Sequence, residues 1–391
     1  MSAHANPDIV DDGLVFMYDT DDGKSFKGEP TVNLATDSPS QGGWAGGREV
    51  LDSSRKKFKL IVNNFNGSAG SGQGWRSFTW DLNSYSGQSV TISATVEVPS
   101  ASPGTFAWIM MGQTNTHTSN NSGAGQYMGY SAASERVQKT TTTTEHITWT
   151  GTVGSTGTAS QPSGHVGFTL WYNGGTIGVD SYVEVSNVQI EINSHATPFV
   201  NGTRSATQGL IDRTGTATIN ISNASFDSNA QMTFDGTDDT INTGLFSGRN
   251  PSTDPFTIEA VVKSDITSGS RMWIDATSNG SNQRLYCAYA ATGTGNPMGI
   301  QGTAWSSSGV NDTDYHHYVI VMDGSVARLY NNGEAHSTRN YTSYQIQALN
   351  IGGRNTYRWL GYIPIFKLYN RALTAAEVLQ NFNATKSRFG L

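Results

Sequence analysis

The chain is dominated by short segments in which apolar and polar residues alternate. The clearest is "SVTISATVEV", residues 89–98, and similar segments follow it, separated by loops rich in Gly, Ser and Thr. A period of two places successive side chains on opposite faces of a β-strand, so each segment predicts a strand. Only residues 373–386, "LTAAEVLQNFNATK", have a helical pattern, with Thr374 and Glu377 spaced as a capping box. In this helix, Val378, Leu379 and Phe382 form one apolar stripe that we expect to pack against the strands. We therefore predict an all-β protein with a short C-terminal helix.

The predicted strands form two series. The segment between them, residues 193–209, contains a proline, two glycines and mixed polar residues, which is typical of a domain boundary. In the second series, the pairs Asp323-Gly324 and Asn332-Gly333 are hairpin turn signals. Strands at this spacing, without helices between them, indicate two antiparallel jelly-roll β-sandwiches.

Composition and charge narrow the classes of partner. The 391 residues are 36% hydrophobic and 14% charged with a net charge of −7, and the densest basic cluster, residues 54–59, fits a solvated strand edge better than a nucleic-acid patch. No apolar run has membrane-spanning length, and no signal peptide is visible at the N-terminus. A single cysteine excludes a disulfide within the chain. We expect no nucleic-acid partner and no membrane insertion.

Several segments of the second series resemble, in their order along the chain, the laminin G-like family of concanavalin A-like lectins and glucanases. The segments are "FDGTDDTIN" (234–242), "FTIEAVVKSD" (256–265), "DYHHYVIVMDGSVARLYNNGE" (314–334), "LNIGG" (349–353) and "GYIPIFKLYNRALTAAEV" (361–378). The resemblance implies a two-sheet antiparallel jelly roll.

The segment that resembles the first strand of that family lies far upstream of the other matching segments. "DDGLVFMYDTDDGKSF", residues 11–26, resembles it, whereas "GLIDRTGTATINISNASF", residues 209–226, resembles the element that follows it. We therefore predict a discontinuous laminin G/concanavalin A-like domain, residues 1–29 and 205–391, interrupted by an inserted carbohydrate-binding-module-like β-sandwich, residues 30–204. The alternative is that residues 1–29 form an N-terminal arm of the inserted domain.

The inserted segment and the C-terminus resemble proteins of tailed bacteriophages. "NLATDSPSQGGW" and "YVEVSNVQIEINSHATPF" resemble carbohydrate-binding-module jelly rolls of virion proteins, and "LYNRALTAAEVLQNFNATKSRFGL" resembles the end of laminin G-like phage structural proteins. The resemblance implies a virion structural protein, a capsid decoration or tail-associated subunit, with weak glycan binding. Its partners would be other virion proteins in a trimeric or hexameric homo-oligomer, and its location the virion, assembled in the host cytoplasm. The alternative is a glycan-binding receptor-recognition protein, a tail fibre or adhesin that takes host-surface glycans.

Catalytic motifs are absent from the sequence. It contains no Gly-x-Ser-x-Gly elbow, no P-loop and no His-Glu-x-x-His pattern. Glu184 and Glu191 are spaced for opposite faces of a regular strand, so they do not form the close carboxylate pair of a retaining glycosidase, and we expect both to face solvent. We therefore predict that the protein is not an enzyme.

A short acidic turn is the candidate metal site. Asp235, Asp238 and Asp239 offer the hard oxygen ligands that Ca²⁺ prefers. The alternative is that they cap the turn through backbone N–H groups. Pro364 stands where the resemblance implies a further acidic residue, which favours the capping alternative. No other cofactor is expected.

Aromatic residues outside alternating segments are the candidates for sugar binding. Sugar sites combine aromatic platforms with hydrogen-bonding side chains. The candidates are Trp44 and Trp75 in Gly-rich segments of the inserted domain and Trp305, Tyr357 and Trp359 in loop-like segments of the second. For each, packing in the core or at the rim is the alternative.

Overall fold

The structure is a computed structural model. It describes residues 8–43, 46–62, 74–102, 106–115, 136–139, 144–154, 162–172, 181–267, 271–278, 285–289, 298–300, 303–305, 312–341, 345–354 and 357–391. Statements about the structure concern these residues, and Trp44 lies outside them.

The chain divides into two compact units. Unit 1 comprises Met1–Pro30 and Ser205–Leu391, and unit 2 comprises Thr31–Arg204. Antiparallel strands dominate both units, and the C-terminal segment forms an α-helix, so the predicted all-β fold class is confirmed. Among the described residues, no helix has the length and apolar character needed to cross a membrane.

The strands are numbered along the chain. β1 (Leu14–Asp19) belongs to unit 1 and precedes unit 2. The strands of unit 2 are β2 (Thr31–Val32), β3 (Ser40–Gly43), β4 (Gly46–Asp52), β5 (Lys57–Val62), β6 (Gly74–Asp81), β7 (Ser89–Glu97), β8 (Phe106–Asn115), β9 (Arg136–Lys139), β10 (Thr144–Thr152), β11 (Pro162–Tyr172), β12 (Ser181–Glu191) and β13 (Thr203–Arg204).

Unit 1 resumes after β13. Its remaining elements are β14 (Ser225–Phe226), β15 (Met232–Asp235), β16 (Ile241–Asn242), β17 (Phe256–Ser264), β18 (Arg271–Ser278), β19 (Leu285–Tyr289), β20 (Met298–Ile300), β21 (Thr303–Trp305), β22 (Tyr315–Asp323), β23 (Val326–Asn331), β24 (Glu334–Asn340), β25 (Ile346–Ile351), β26 (Leu360–Tyr369) and helix α1 (Ala375–Phe389).

Unit 2 is a sandwich of two five-stranded sheets. Their strand orders are β10-β7-β12-β5-β4 and β3-β6-β11-β8-β9. Inward-facing residues from both sheets, such as Ile92, Val185 and Phe168, form one buried core. β2 pairs with β13, which brings the first and last residues of the unit together.

Unit 1 is also a sandwich of two sheets, and both have more strands than the sheets of unit 2. One sheet has eight strands in the order β14-β15-β26-β17-β22-β23-β24, with β1 also paired to β26, and the other has the order β16-β25-β18-β19-β20-β21. The core between them contains Phe16, Trp273, Ile320 and Phe366. The predicted turn at Asn332-Gly333 joins β23 to β24, and both residues have the positive φ that such a hairpin requires.

Helix α1 covers the outer face of the eight-stranded sheet. The predicted capping box is present, since Thr374 Oγ1 accepts from the N–H of Glu377 and the Glu377 side chain accepts from Thr374. Leu373 and Val378 are buried together, as a hydrophobic staple predicts. Leu379, which the helical pattern placed on the buried stripe, is instead 47% exposed.

The helix also covers polar groups of the sheet. Adjacent residues of a strand face opposite sides, so the sequence predicts that one of His316 and His317 is buried and the other exposed. Both are buried. His317 Nε2 lies 3.1 Å from Glu259 Oε1, beneath the helix, and His316 Nε2 lies 2.9 Å from Asp312 Oδ1. The expectation was wrong because both faces of this strand are covered.

Two arginines bind the aspartates at the end of β1 and after it, in residues 19–22. The guanidinium of Arg388, in the last turn of α1, donates to both carboxylate oxygens of Asp19 at 2.6 and 2.8 Å and to Asp21 at 3.0 Å. Arg213 pairs with Asp22. The Arg388 ion pairs join the end of the first strand of unit 1 to helix α1.

Removing the Arg388 guanidinium should destabilise unit 1. The substitution R388Q leaves the nearly buried Asp19 carboxylate without its cation, and we expect a loss of about 1–2 kcal/mol in the free energy of unfolding. The matched control is R328Q, because Arg328 pairs with Asp323 where both side chains are exposed. The control should cost less than about 0.5 kcal/mol in urea unfolding. Equal losses in the two variants would contradict the role assigned to Arg388.

Candidate functional site

Three segments of unit 1 meet at one end of its sandwich. They are the turn between β15 and β16, the beginning of β18, and the connection between β25 and β26. The backbone holds them together: Gly352 N–H donates to Trp273 O at 2.8 Å and Met272 N–H donates to Tyr357 O at 3.0 Å. The polar and aromatic side chains here are called the rim cluster: Asp235, Asp238, Asp239, Arg271, Asp275, Arg354, Tyr357 and Arg358.

The acidic turn supplies three of these residues. One carboxylate oxygen from each of Asp235, Asp238 and Asp239 can be chosen so that all three lie within 4.8 Å of one another. Asp235 and Asp238 are exposed, whereas Asp239 is buried. Asp239 Oδ2 accepts from the N–H of Asp235 at 2.6 Å. Asp239 therefore caps the turn, as the alternative interpretation of these residues predicted.

The fit of the turn to Ca²⁺ is partial. Ca²⁺ takes about six to eight oxygen ligands. Both oxygens of Asp239 already accept hydrogen bonds, the second from Ser225 Oγ at 3.3 Å, and burial raises the pKa of this carboxyl. The exposed carboxylates of Asp235 and Asp238 are the part of the cluster that could hold a cation.

Two arginines fix the turn beside the β25–β26 connection. Arg271 Nη1 donates to Gly236 O at 2.9 Å and to Arg358 O at 3.3 Å, so one guanidinium touches both segments. Arg358 Nη1 donates to Gly353 O at 3.2 Å. The rim cluster therefore presents fixed hydrogen-bond donors next to the exposed carboxylates.

Asp275 is a buried carboxylate in the same cluster. Its Oδ2 lies 2.9 Å from Nε of Arg354, yet neither oxygen has a well-formed hydrogen bond among the described residues. Burial raises its pKa to about 6, and the Arg354 charge opposes that rise only in part. No sequence motif marks this pair, because its members are far apart in the chain.

The structure separates the two aromatic candidates that flank Arg358. Tyr357 is 39% exposed and belongs to the rim cluster. Trp359 is fully buried in the sandwich core, and its indole N–H faces Tyr362 O at 3.4 Å. The prediction that Trp359 is a sugar-binding platform was therefore wrong, because its ring is not exposed to solvent.

Two further tryptophan candidates lie in strands. Trp75 was expected in a loop but lies in β6, opposite Trp171 of β11. Trp305 ends β21, opposite Met298 of β20. Their side chains, like the whole of Trp44, lie outside what the structure describes.

The carboxylate pair weighed for catalysis belongs to unit 2. A β-bulge between Ser186 and Gln189 interrupts β12, so the regular alternation used to place Glu184 and Glu191 does not hold across it. Glu184 pairs with Lys57 at 2.6 Å, and Glu191 is buried, where it accepts from the N–H of Thr197 at 2.9 Å. The expectation that Glu191 faces solvent was wrong.

Comparison with protein families matches part of unit 1. Residues 235–379 match the model of the concanavalin A-like lectin/glucanases superfamily. This match supports the laminin G-like, concanavalin A-like jelly roll that the sequence resemblance implied for unit 1. No curated protein matches the sequence.

Solved structures of low similarity include hydrolases and binding domains. A Trypanosoma rangeli sialidase has 17% identity and a TM-score of 0.37 over 46% of this chain and 31% of its own. Domain 4 of a GH43 extracellular arabinanase from Geobacillus stearothermophilus, in complex with arabinotriose, has 15% identity and a TM-score of 0.33 over 45% of this chain and 92% of its own. The binding domain of botulinum neurotoxin serotype D has 13% identity and a TM-score of 0.35 over 45% and 49%.

These structures correct one sequence-based prediction. The protein was predicted not to be an enzyme, and that prediction is contradicted by the presence of sialidases and a domain of an arabinanase among the similar structures. Their identity and coverage are low, and the set also includes binding domains.

The Asp275 carboxyl should make stability depend on pH. Its pKa is raised from 3.8 to about 6 on folding, so between these values the folded state keeps a proton that the unfolded state releases. The free energy of unfolding of the wild type, relative to D275N, should therefore fall as the pH rises through this window. Removing the opposing charge with R354Q should extend the fall to higher pH, because the folded-state pKa sets its upper limit while the unfolded-state pKa still sets its lower limit. The measurement is the free energy of unfolding, from urea unfolding at several pH values. If it changed with pH in the same way for wild type and D275N, the burial of this carboxyl would be contradicted.

Gly353 should be required for the shape of the rim cluster. Its φ is +80°, and a Cβ there would lie 2.4 Å from Tyr357 O and 2.5 Å from Met272 O. The control is Gly244, whose φ is +66° with nothing within 4 Å of its Cβ position. G244A should cost about 1 kcal/mol of unfolding free energy, the penalty of the left-handed backbone alone, and G353A distinctly more. Equal costs would show that the connection can move away from the new methyl group.

Proposed function

We propose that the protein binds glycans through the rim cluster of unit 1. The observation that carries this proposal is the exposed Tyr357, which precedes Arg358 in the connection that Arg271 links to the acidic turn, where the carboxylates of Asp235 and Asp238 are also exposed. A sugar site needs an apolar platform for the C–H face of the ring and directed polar groups for its hydroxyls.

The rim cluster supplies both kinds of polar group. The guanidinium groups donate hydrogen bonds, and the carboxylates of Asp235 and Asp238 accept them, so a sugar hydroxyl that does both can be held from two sides. The arginines are restrained by their bonds to backbone carbonyls, which lowers the entropic cost of ordering them on binding.

The family match supports the same location. Residues 235–379 contain the whole rim cluster, and the family that matches them is named for lectins and glucanases. A cation on Asp235 and Asp238 would add a further oxygen-binding group at the edge of this site.

Truncating Tyr357 should remove glycan binding. On a glycan array, the full chain should bind a defined set of glycans, and Y357A should bind them at least about tenfold more weakly, the loss expected when about 1.4 kcal/mol of stacking is removed. The ring is exposed, so the variant should keep its unfolding transition.

The matched control is Y182A in unit 2. Tyr182 lies on the outer face of a sheet, where Lys59 Nζ is 4.2 Å from its ring centroid. Loss of binding in Y182A but not in Y357A would refute the rim cluster and favour unit 2. Measuring Ca²⁺ dependence with EDTA tests the acidic turn, and analysis of the bound glycans for released products tests hydrolysis.

We propose, further, that this binding surface is displayed on a phage virion. The proposal rests on the resemblance of the inserted segment to carbohydrate-binding-module jelly rolls of virion proteins and of the C-terminus to laminin G-like structural proteins of tailed phages. Its partners would be other virion proteins and further copies of this chain. Stoichiometric binding of the purified protein to particles that lack it would support this location, and no binding would count against it.

A further inference from the structure

A buried amine, carboxylate and carboxamide meet beneath helix α1. Glu259 of β17 lies directly opposite Lys367 of β26, and both side chains are fully buried. Lys367 Nζ lies 2.6 Å from Glu259 Oε1. Asn381 of α1, also fully buried, donates from Nδ2 to the other oxygen, Glu259 Oε2, at 2.6 Å. One carboxylate therefore holds the amine and the amide side by side.

The amide is oriented by the N-terminal segment. The N–H of Val10 donates to Asn381 Oδ1 at 2.8 Å, and Tyr369 Oη accepts from Asn381 Nδ2 at 2.9 Å while donating to Val10 O at 3.0 Å. A donor on the amide oxygen polarises the carbonyl and would stabilise negative charge that develops there.

The surroundings are apolar. Val10, Val319, Val321, Leu373 and Val378 form a buried cluster at this interface. An ion pair in such a place costs desolvation, and hydrophobic residues of the same volume would stabilise the interface at least as well. Burial raises the pKa of the Glu259 carboxyl, but the neighbouring Lys367 and His317 lower it further, to about 2, so the resting carboxylate is charged and takes up a proton only in the course of a reaction.

These three groups are the parts of an intramolecular transamidation. An amine is the nucleophile, a carboxylate within hydrogen-bond distance takes its proton, and a polarised carboxamide is the acyl donor. Fixing the reactants inside one folded unit replaces the encounter of separate molecules, which accelerates such reactions greatly.

We propose that Lys367 and Asn381 form an isopeptide bond, with Glu259 as the proton carrier. Lys367 Nζ passes a proton to Glu259 and attacks Asn381 Cγ, and the N–H of Val10 stabilises the oxyanion. The new Nζ–Cγ bond forms, the Cγ–Nδ2 bond breaks, and Glu259 returns the proton to Nδ2. The products are one amide cross-link and one ammonia, which leaves with the remaining proton of the lysine ammonium as an ammonium ion. No oxidant or cofactor is required.

The cross-link would join β26 to α1. The bond would close residues 367–381 into a covalent ring. This ring would persist in the unfolded chain and would reduce the conformational entropy of that state. The proposal is independent of glycan binding, because the rim cluster contains none of these residues.

Intact-mass spectrometry of the folded full chain tests the bond. The wild type should be lighter than its sequence by one ammonia, and trypsin should release residues 359–371 joined to residues 372–386, uncleaved after Lys367. K367R, which keeps the cation but not the nucleophile, and E259Q, which removes the proton acceptor, should both have the mass of their sequences. N381D should lose water in place of ammonia if it reacts.

The control is K386R, which replaces a lysine of α1 outside this buried cluster and should leave the ammonia loss unchanged. A wild-type mass equal to that of the sequence, after prolonged incubation of the folded protein, would overturn the proposal and leave an ion pair only. Ammonia loss that persists in K367R would assign it to another site and overturn it equally. Since the wild-type mass decides, the result does not depend on how well E259Q folds.

Discussion

Strand β26 is the element on which unit 1 depends, because each layer of the unit contacts it. Its edges pair with β17 on one side and with β15 and β1 on the other. Phe366 and Leu368 point into the sandwich core, whereas Lys367 and Tyr369 point toward α1. A strand buried on both faces must satisfy its polar groups internally, which explains why Glu259 and Asn381 converge on it.

Local patterns predicted local structure well. Alternation located most strands, the Asn-Gly pair located a hairpin, and the spacing of Thr374 and Glu377 located the start of α1. The errors arose at two kinds of place: where a second layer covers the outer face of a strand, and where a β-bulge interrupts the alternation of faces. Both histidines of β22 are buried because α1 covers the outer face, and Glu191 is buried beyond a bulge. Neither effect is visible within one segment.

The candidate site was predictable only in part. The acidic turn stands out as a local cluster, and Tyr357 as an aromatic residue in a polar segment. Trp359, two residues on, has the same local appearance, yet its ring fills the core. The Asp275–Arg354 pair had no signal, because it depends on neighbouring strands that are distant in sequence. Tertiary pairing decides which of these side chains reaches the rim.

The pairing of β1 with β26 also has a consequence for biosynthesis. Leu14 lies opposite Tyr369, so β1 finds its partner only after unit 2 and the other strands of unit 1 have been synthesised. Unit 2 is contiguous and can fold on the ribosome in the meantime, with β2 and β13 closing its two ends. Until β26 is made, β1 therefore lacks the strand that it pairs with in the folded unit, and an unpaired strand of this kind is prone to pair with other chains.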